Sequence, residues 1–403
     1  MNCRFCKTKL EHVFVDLVNA PASNSYLTKD QLNEPEIFYP LKIYVCQKCK
    51  LVQIDEYKKS DDIFDKEYAY FSSISTSWVE HAKNYVEMIT EKLHLTCNSQ
   101  VIEIASNDGY LLQFFKEKNI SCLGIEPTKS TANVARSKGI EVIEDFFGEE
   151  LAFTLPKADL ILGNNVLAHV PDINDFVMGL KKALKSDGVI TMEFPHLLNL
   201  IEQNQFDTIY HEHFSYLSLL TTITIFKFHG LNIYDVEELP THGGSLRIFA
   251  THSESDKKAT DNVAFVLEKE RIANMHLLVG YKGFQLKANS IKYEFLGFLL
   301  KVKSEQKKVI AYGAAAKGNT LLNYCGIKND LIDFVVDRAP LKTGRFLPGS
   351  HIPIVSEEEI TRLKPDYIVI FPWNIKEEVM KQLNYVREWG CEFIVVVPRL
   401  EIL

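Results

Sequence analysis

No uninterrupted apolar run of about 18 residues occurs in this 403-residue chain, so a membrane-spanning helix is not expected. The segment after Met1 lacks the apolar stretch and small-residue cleavage site of a secretory leader, and a cytoplasmic protein is expected. Long basic runs are missing as well. With 45 Lys and Arg against 53 Asp and Glu the net charge is −8, which disfavours a DNA or RNA partner and leaves room only for small anionic ligands in local basic pockets. Low-complexity tracts and internal repeats are absent, and the length suits two or three globular domains. Two glycine-bearing turns are present, yet the first lacks the G-x-G-x-x-G triple of a pyrophosphate site and the second lacks the G-x-x-x-x-G-K-[ST] spacing of a P-loop.

What the chain does carry begins with Cys3-Arg-Phe-Cys6 and Cys46-Gln-Lys-Cys49. Each C-x-x-C turn presents two thiolates on one knuckle, and two knuckles close a tetrahedral, structural zinc site. Two disulfides or four unrelated cysteines are the alternative reading. Cys97, Cys122, Cys325 and Cys391 stand singly in apolar surroundings, as buried thiols of a reducing compartment do.

Five apolar β-type runs, 101–105, 122–125, 141–143, 158–162 and 188–194, leave room for helices between them, which predicts a parallel, doubly wound α/β sheet. Runs 231–236 and 245–250, joined through Thr241-His242-Gly243-Gly244, predict an antiparallel pair at its edge. A charged, helical pattern from 261 to 307 reads as a bridge. A second α/β unit follows, with strands at 309–313, 332–336, 367–371 and 393–397. The domains expected are a zinc-binding domain at 1–66, a doubly wound domain at 67–255, a helical bridge at 256–307 and a Rossmann-like domain at 308–403.

The first small-residue turn, Ala105-Ser106-Asn107-Asp108-Gly109-Tyr110, follows the strand bearing Glu103. A doubly wound sheet binds its ligand at such a turn. Glu126, next to Pro127, falls 23 residues after Glu103, where an acid takes a ribose diol in either NAD or S-adenosylmethionine sites. The acidic turn favours a cationic sulfonium over a diphosphate. Asp145-Phe146 is a candidate to flank adenine, with a core aromatic pair as the alternative, and Asn164 closes the fourth strand. Here the chain resembles class I S-adenosylmethionine-dependent methyltransferases, with Ala105 where that family usually has Gly; an alanine is expected to keep φ below zero.

Tyr210-His211-Glu212-His213-Phe214-Ser215-Tyr216 is the densest titratable cluster. In a strand its two histidines share a face opposite Glu212, which argues against one metal and for a base with an orienting carboxylate. His169 follows the fourth strand and is either catalytic or structural. In the second glycine turn, Tyr312-Gly313-Ala314-Ala315-Ala316-Lys317-Gly318-Asn319, small residues and one ammonium suit a diphosphate, and Asp337-Arg338 stands where a nucleoside would lie.

Taken in order, the Cys pairs, Glu-Ile-Ala-Ser-Asn-Asp-Gly, Asn-Asn-Val-Leu-Ala-His-Val-Pro-Asp, Tyr-His-Glu-His-Phe-Ser-Tyr, His-Gly-Gly-Ser-Leu-Arg and Tyr-Gly-Ala-Ala-Ala-Lys-Gly-Asn-Thr resemble the nucleotide-sugar C-methyltransferases along the whole chain. Members of that family methylate carbon 3 of NDP-4-keto-deoxyhexoses. The resemblance implies S-adenosylmethionine and zinc as cofactors, a small NDP-sugar as partner and His213 as base with Glu212 beside it. It also implies Tyr210 and His169 near the reacting centre, and a tyrosine after the zinc domain, Tyr68 or Tyr70, joining them. Tyr312, Lys317 and Asn319 then seat the nucleotide. His242 either closes the sugar pocket or serves a plain turn. A monomer or weak oligomer is expected.

Overall fold

A computed structural model describes residues 1–57 and 71–403, so Tyr68 and Tyr70 lie outside the described residues. The chain opens with three antiparallel strands, β1 (His12–Ala20), β2 (Tyr39–Val45) and β3 (Val52–Ile54). Seven strands of a second sheet follow with one outlier: β4 (Gln100–Ile104), β5 (Ser121–Ile125), β6 (Glu141–Ile143), β7 (Ala158–Asn164), β8 (Leu184–Pro195), β9 (Ser215–Tyr216), β10 (Leu231–Leu239) and β11 (Ser245–His252). The outlier is β9, which leaves that sheet and pairs Tyr216 with Val52 and Ser215 with Gln53 of β3. The segment that carries His213 is thereby stitched to the N-terminal sheet.

The second sheet runs β10-β11-β8-β7-β4-β5-β6, parallel from β8 to β6 and antiparallel at β10 and β11. Strand order reverses at β4, so a crevice opens between the carboxyl ends of β4 and β7. Its strands read as apolar runs because helices cover both faces: Ile102, Ile104 and Ile161 sit in one buried cluster, and Val101, Leu160 and Leu162 in the other.

Helices Asp261–Ile272 and Phe284–Ser304 form the bridge. The first packs back on the second sheet through Val263 and Val266. Its buried Glu270 accepts from the Leu219 and Leu220 amides and meets His196 at 2.7 Å. The second buries Phe284, Ile291, Phe295 and Leu299 against the N-terminal sheet and the last domain; each such side chain contributes roughly 1.5–3 kcal/mol.

The last sheet, β12 (Val309–Tyr312), β13 (Val335–Val336), β14 (Ile354–Val355), β15 (Tyr367–Ile370), β16 (Glu392–Val395) and β17 (Glu401–Ile402), runs β14-β13-β12-β15-β16-β17, with only β17 antiparallel. Here too the order reverses after the first strand, between β12 and β15. The short β14 and β17 carry little apolar pattern and are additions to the four strands legible in the sequence.

Candidate active site

Both crevices open onto one cavity of about 810 Å³. From the first come Ala105, Asn107, Tyr110, Glu126, Pro127, Asp145, Phe146 and Asn164; from the second, Ala315, Ala316, Lys317, Lys342, Pro372 and Asn374. Between them stand His169, Tyr210, Glu212, His213 and His242.

The turn after β4 is built on left-handed backbone. Ala105, Asn107 and Gly109 take φ of 56°, 48° and 73°. Ala105 therefore does enter the region that an alanine was expected to avoid, at a cost of about 1–2 kcal/mol. Its neighbours enforce this: the Asn107 amide donates to Glu126 at 2.9 Å, and Asn107 Oδ1 accepts from the Ser72 amide at 2.9 Å. Glu126 is buried, takes the Thr128 amide on its other oxygen at 2.9 Å, and has its pKa raised by burial.

Residues 210–213 form a turn rather than a strand, closed by the His213 amide on the Tyr210 carbonyl at 3.0 Å. The strand-based expectation is thus corrected: Glu212 and His213 both line the cavity, while His211 turns back to the Pro40 carbonyl at 3.2 Å. The orienting partner of His213 is also not Glu212. His213 Nδ1 lies 2.9 Å from the Thr208 carbonyl, which can only accept, so Nδ1 carries the proton and Nε2 presents a lone pair. Nε2 has no hydrogen-bond partner among the described residues. Burial and the nearby His169 hold the His213 pKa well below its ordinary value. The Tyr210 ring lies 4.0 Å and the His169 ring 4.7 Å from that of His213, centre to centre.

His169 is set the same way, Nδ1 on the Glu212 carbonyl at 2.8 Å, with its pKa lowered to about 4 by burial. Neutral in this tautomer, its Nε2 is an acceptor. Both Glu212 oxygens accept from Asn24 Nδ2, at 2.8 and 2.9 Å.

Family models match the chain in three blocks: a zinc binding domain at residues 3–64, a methyltransferase domain at 79–236 and a C-methyltransferase C-terminal domain at 240–398. The C-methyltransferase NovU of Streptomyces niveus is 33% identical over 405 aligned positions, covering all of this chain and 96% of that protein. The chain belongs to the class I S-adenosylmethionine-dependent C-methyltransferase family. A ubiquinone biosynthesis O-methyltransferase of Actinobacillus pleuropneumoniae is 27% identical across 26% of the chain and 49% of its own length. A solved S-adenosylmethionine-dependent methyltransferase from Archaeoglobus fulgidus gives a TM-score of 0.37 at 15% identity, over 43% of this chain and 93% of that one.

As a C-methyltransferase the chain takes S-adenosylmethionine and a structural zinc. The four Sγ atoms of Cys3, Cys6, Cys46 and Cys49 lie within 4.8 Å of one another, with Cys3–Cys49 and Cys6–Cys46 at 3.5 Å. That is too long for disulfides, whose sulfurs are about 2 Å apart, and close to the edge of about 3.8 Å in a tetrahedron of about 2.3 Å Zn–S bonds. The first crevice fits the methyl donor: its charged wall residues are acids, Glu126 and Asp145 among them, which suit a cation, and Phe146 offers a ring.

Several expected ligand residues are not brought to the cavity. Glu103 is buried, with both oxygens unpartnered among the described residues and its pKa well raised by burial, off the cavity wall. Gly109 faces Ile140, where a Cβ would come within 2.4 Å, so it serves packing of the turn. Asp108, whose acidity argued for a sulfonium, also turns away, to Ser73 and Lys138. In the last domain, Tyr312 is core, Asn319 donates to the Ser23 carbonyl at 2.5 Å, and Arg338 lies at the surface beside Gln382. Asp337 acts from behind: it accepts the Ala314 and Ala339 amides at 2.8 Å and meets Lys342 at 3.5 Å.

Sequence reasoning missed Asn24, Trp78, Asn165, Lys342 and Asn374 on the wall. Lys342 Nζ donates to the Ala314 carbonyl at 2.8 Å, and Asn374 accepts from Lys317 at 2.8 Å. His242, held left-handed at φ 54°, accepts from Asn165 at 2.8 Å beside the Trp78 ring. Of the five missed residues only Asn165, in the quoted Asn-Asn-Val-Leu-Ala-His segment, belongs to a local motif.

Proposed function

We propose that this C-methyltransferase acts on carbon 3 of an NDP-4-keto-deoxyhexose through a base-generated enolate. One observation carries the reading: a lone-pair-bearing His213 stands in a single cavity between an acidic crevice and a lysine-bearing one. Methylating carbon requires a carbanion, whereas oxygen or nitrogen acceptors already own a lone pair and need no such base.

Bound S-adenosylmethionine supplies an electrophilic methyl on a sulfonium. Glu126 holds its ribose, Asp145 and Phe146 flank the adenine, and Asn107 and Asn164 border the rest. Lys317 and Lys342 take the diphosphate of the sugar nucleotide. The 4-keto group acidifies the proton on carbon 3, His213 Nε2 removes it, and Tyr210 stands where a hydroxyl can donate to the enolate oxygen. General-base help of this kind is worth about 10²–10⁴-fold. His169 contributes an acceptor or, if protonated, a donor; its pKa of about 4 favours the acceptor near neutral pH. Lys317 has its pKa lowered to about 8 by burial, with Asp207 opposing the shift, so at neutral pH it is mainly ammonium.

No helix among the described residues is long and apolar enough to cross a membrane. With its isolated thiols the protein suits the cytoplasm, as a monomer or weak oligomer. Mass spectrometry with labelled methyl donor and a panel of NDP-4-keto-hexoses tests the reading: one added methyl on the sugar carbon supports it, and transfer only to an oxygen or nitrogen acceptor rejects it.

A further inference from the structure

We propose that Thr320 and Trp373 of the last domain are positioning residues for His213, so that seating the nucleotide and presenting the base are coupled. The inference rests on the reading of His213 as base and of the second crevice as the nucleotide seat.

The 3₁₀ turn Phe206–Thr208 and the residue after it carry the relevant groups. The Thr208 carbonyl fixes His213 Nδ1 at 2.9 Å. The next carbonyl, of Ile209, accepts from the buried Thr320 hydroxyl at 2.8 Å. On the other side the buried Asp207 carboxylate accepts from the Trp373 indole N–H at 2.7 Å. The backbone that orients the base is thus braced at both flanking residues by another domain.

Each brace adjoins a cavity-facing group. Thr320 lies one turn along the helix Ala316–Cys325, whose first residues, Ala316 and Lys317, line the cavity. Trp373 precedes Asn374, which lines the cavity and bonds Lys317. Neither Thr320 nor Trp373 is itself on the wall. The indole is also fixed in place, since a Cβ on Gly243 would come within 2.3 Å of Trp373 Cη2. Misplacement of the base by about 1 Å can cost about 10²-fold in rate.

The test uses full-length, zinc-loaded Thr320→Val, which removes one donor at nearly constant volume, and Trp373→Phe, which removes the indole N–H together with its second ring. Turnover of the NDP-4-keto sugar, solvent exchange of its carbon-3 proton, and calorimetric binding of dTDP, GDP and CDP are measured. In both variants kcat and exchange fall about 10–100-fold, in Thr320→Val nucleotide affinity and KM stay within about threefold, and Thr320→Ser restores the rate. A wild-type kcat per folded molecule, or a loss confined to KM or nucleotide affinity, overturns the inference alone. If wild-type protein neither exchanges nor methylates any such sugar, the functional reading fails and the inference with it.

Discussion

At the β4–β7 crevice the charged side chains on the wall are acids, Glu126 and Asp145 with Asp172 and Asp175 after β7; at the β12–β15 crevice they are Lys317 and Lys342. The two places share a topology: strand order reverses, a small-residue turn follows the first strand, and left-handed backbone tightens that turn, through Ala105 in one and Gly313 at φ 89° in the other. Topology makes the crevice in both, and the sign of the charge on the wall is what differs. Fold alone therefore cannot distinguish a sulfonium seat from a diphosphate seat, whereas one shell of side chains can.

The deepest break in this comparison comes from removing the group between the crevices. His213→Asn should lower methyl transfer and carbon-3 exchange by at least the roughly 10²–10⁴-fold typical of a general base, while S-adenosylhomocysteine affinity measured by calorimetry stays near wild type. Turnover that survives would take His213 out of the role.

Exchanging charge at one crevice at a time sharpens the contrast. Losing a charge-assisted contact costs about 1.5–3 kcal/mol, or about 10–100-fold in affinity. Lys317→Met should weaken nucleoside diphosphate binding by that factor and spare the methyl donor; Glu126→Gln should do the reverse. Equal effects of either change on both ligands would show that the crevices are not separate seats.

Acid provides a smaller, graded effect. His169, His211 and His242 have pKa values lowered to about 4 by burial, against about 6.5 in the unfolded chain. Between those values the unfolded state binds more protons, so unfolding free energy should fall as pH drops from about 6.5 toward 4 and be nearly flat close to pH 7. Asp207, raised to about 6 by burial, acts in the opposite sense between about 4 and 6 and offsets part of the loss. Denaturant melts across this range check the net sign. His213 is depressed likewise, so the acid limb of kcat/KM should have its midpoint below the ordinary histidine value of about 6.5.

The smallest effect separates the two turns themselves. Ala105→Gly should relieve left-handed strain and stabilise the fold by about 1 kcal/mol, read as a rise of a few degrees in melting temperature. A fall would mean that the methyl side chain packs better than its backbone is strained.

The central strands of the second and last sheets, the four-cysteine cluster and the antiparallel edge pair were legible because each is written in local pattern: apolar period, knuckle spacing, a Gly-Gly turn. The lysine of the second turn and the histidine cluster were legible as residue types. Their partners were not. Asn24 meets Glu212 from 188 positions away, and β9 reaches β3 with strands β4 to β8 between them in the chain; neither pairing leaves a trace in local sequence. Thr208, 5 positions from His213, was near enough, but a carbonyl acceptor has no residue signature. The left-handed Ala105 escaped because propensity argued against it, and hydrogen bonds to the neighbouring Asn107 overrode a cost of about 1–2 kcal/mol. Asp337 shows the reverse error, a residue placed by analogy at the ligand that instead organises the turn and Lys342.

The central claim is that His213 makes a carbanion before any methyl moves. Incubating wild-type protein and the His213→Asn variant in deuterated water with NDP-4-keto-deoxyhexose and S-adenosylhomocysteine, but no methyl donor, isolates that step. Deuterium at carbon 3 with wild type and none above background with the variant is the result expected; equal incorporation by both, or none by a wild type that methylates the same sugar, contradicts it.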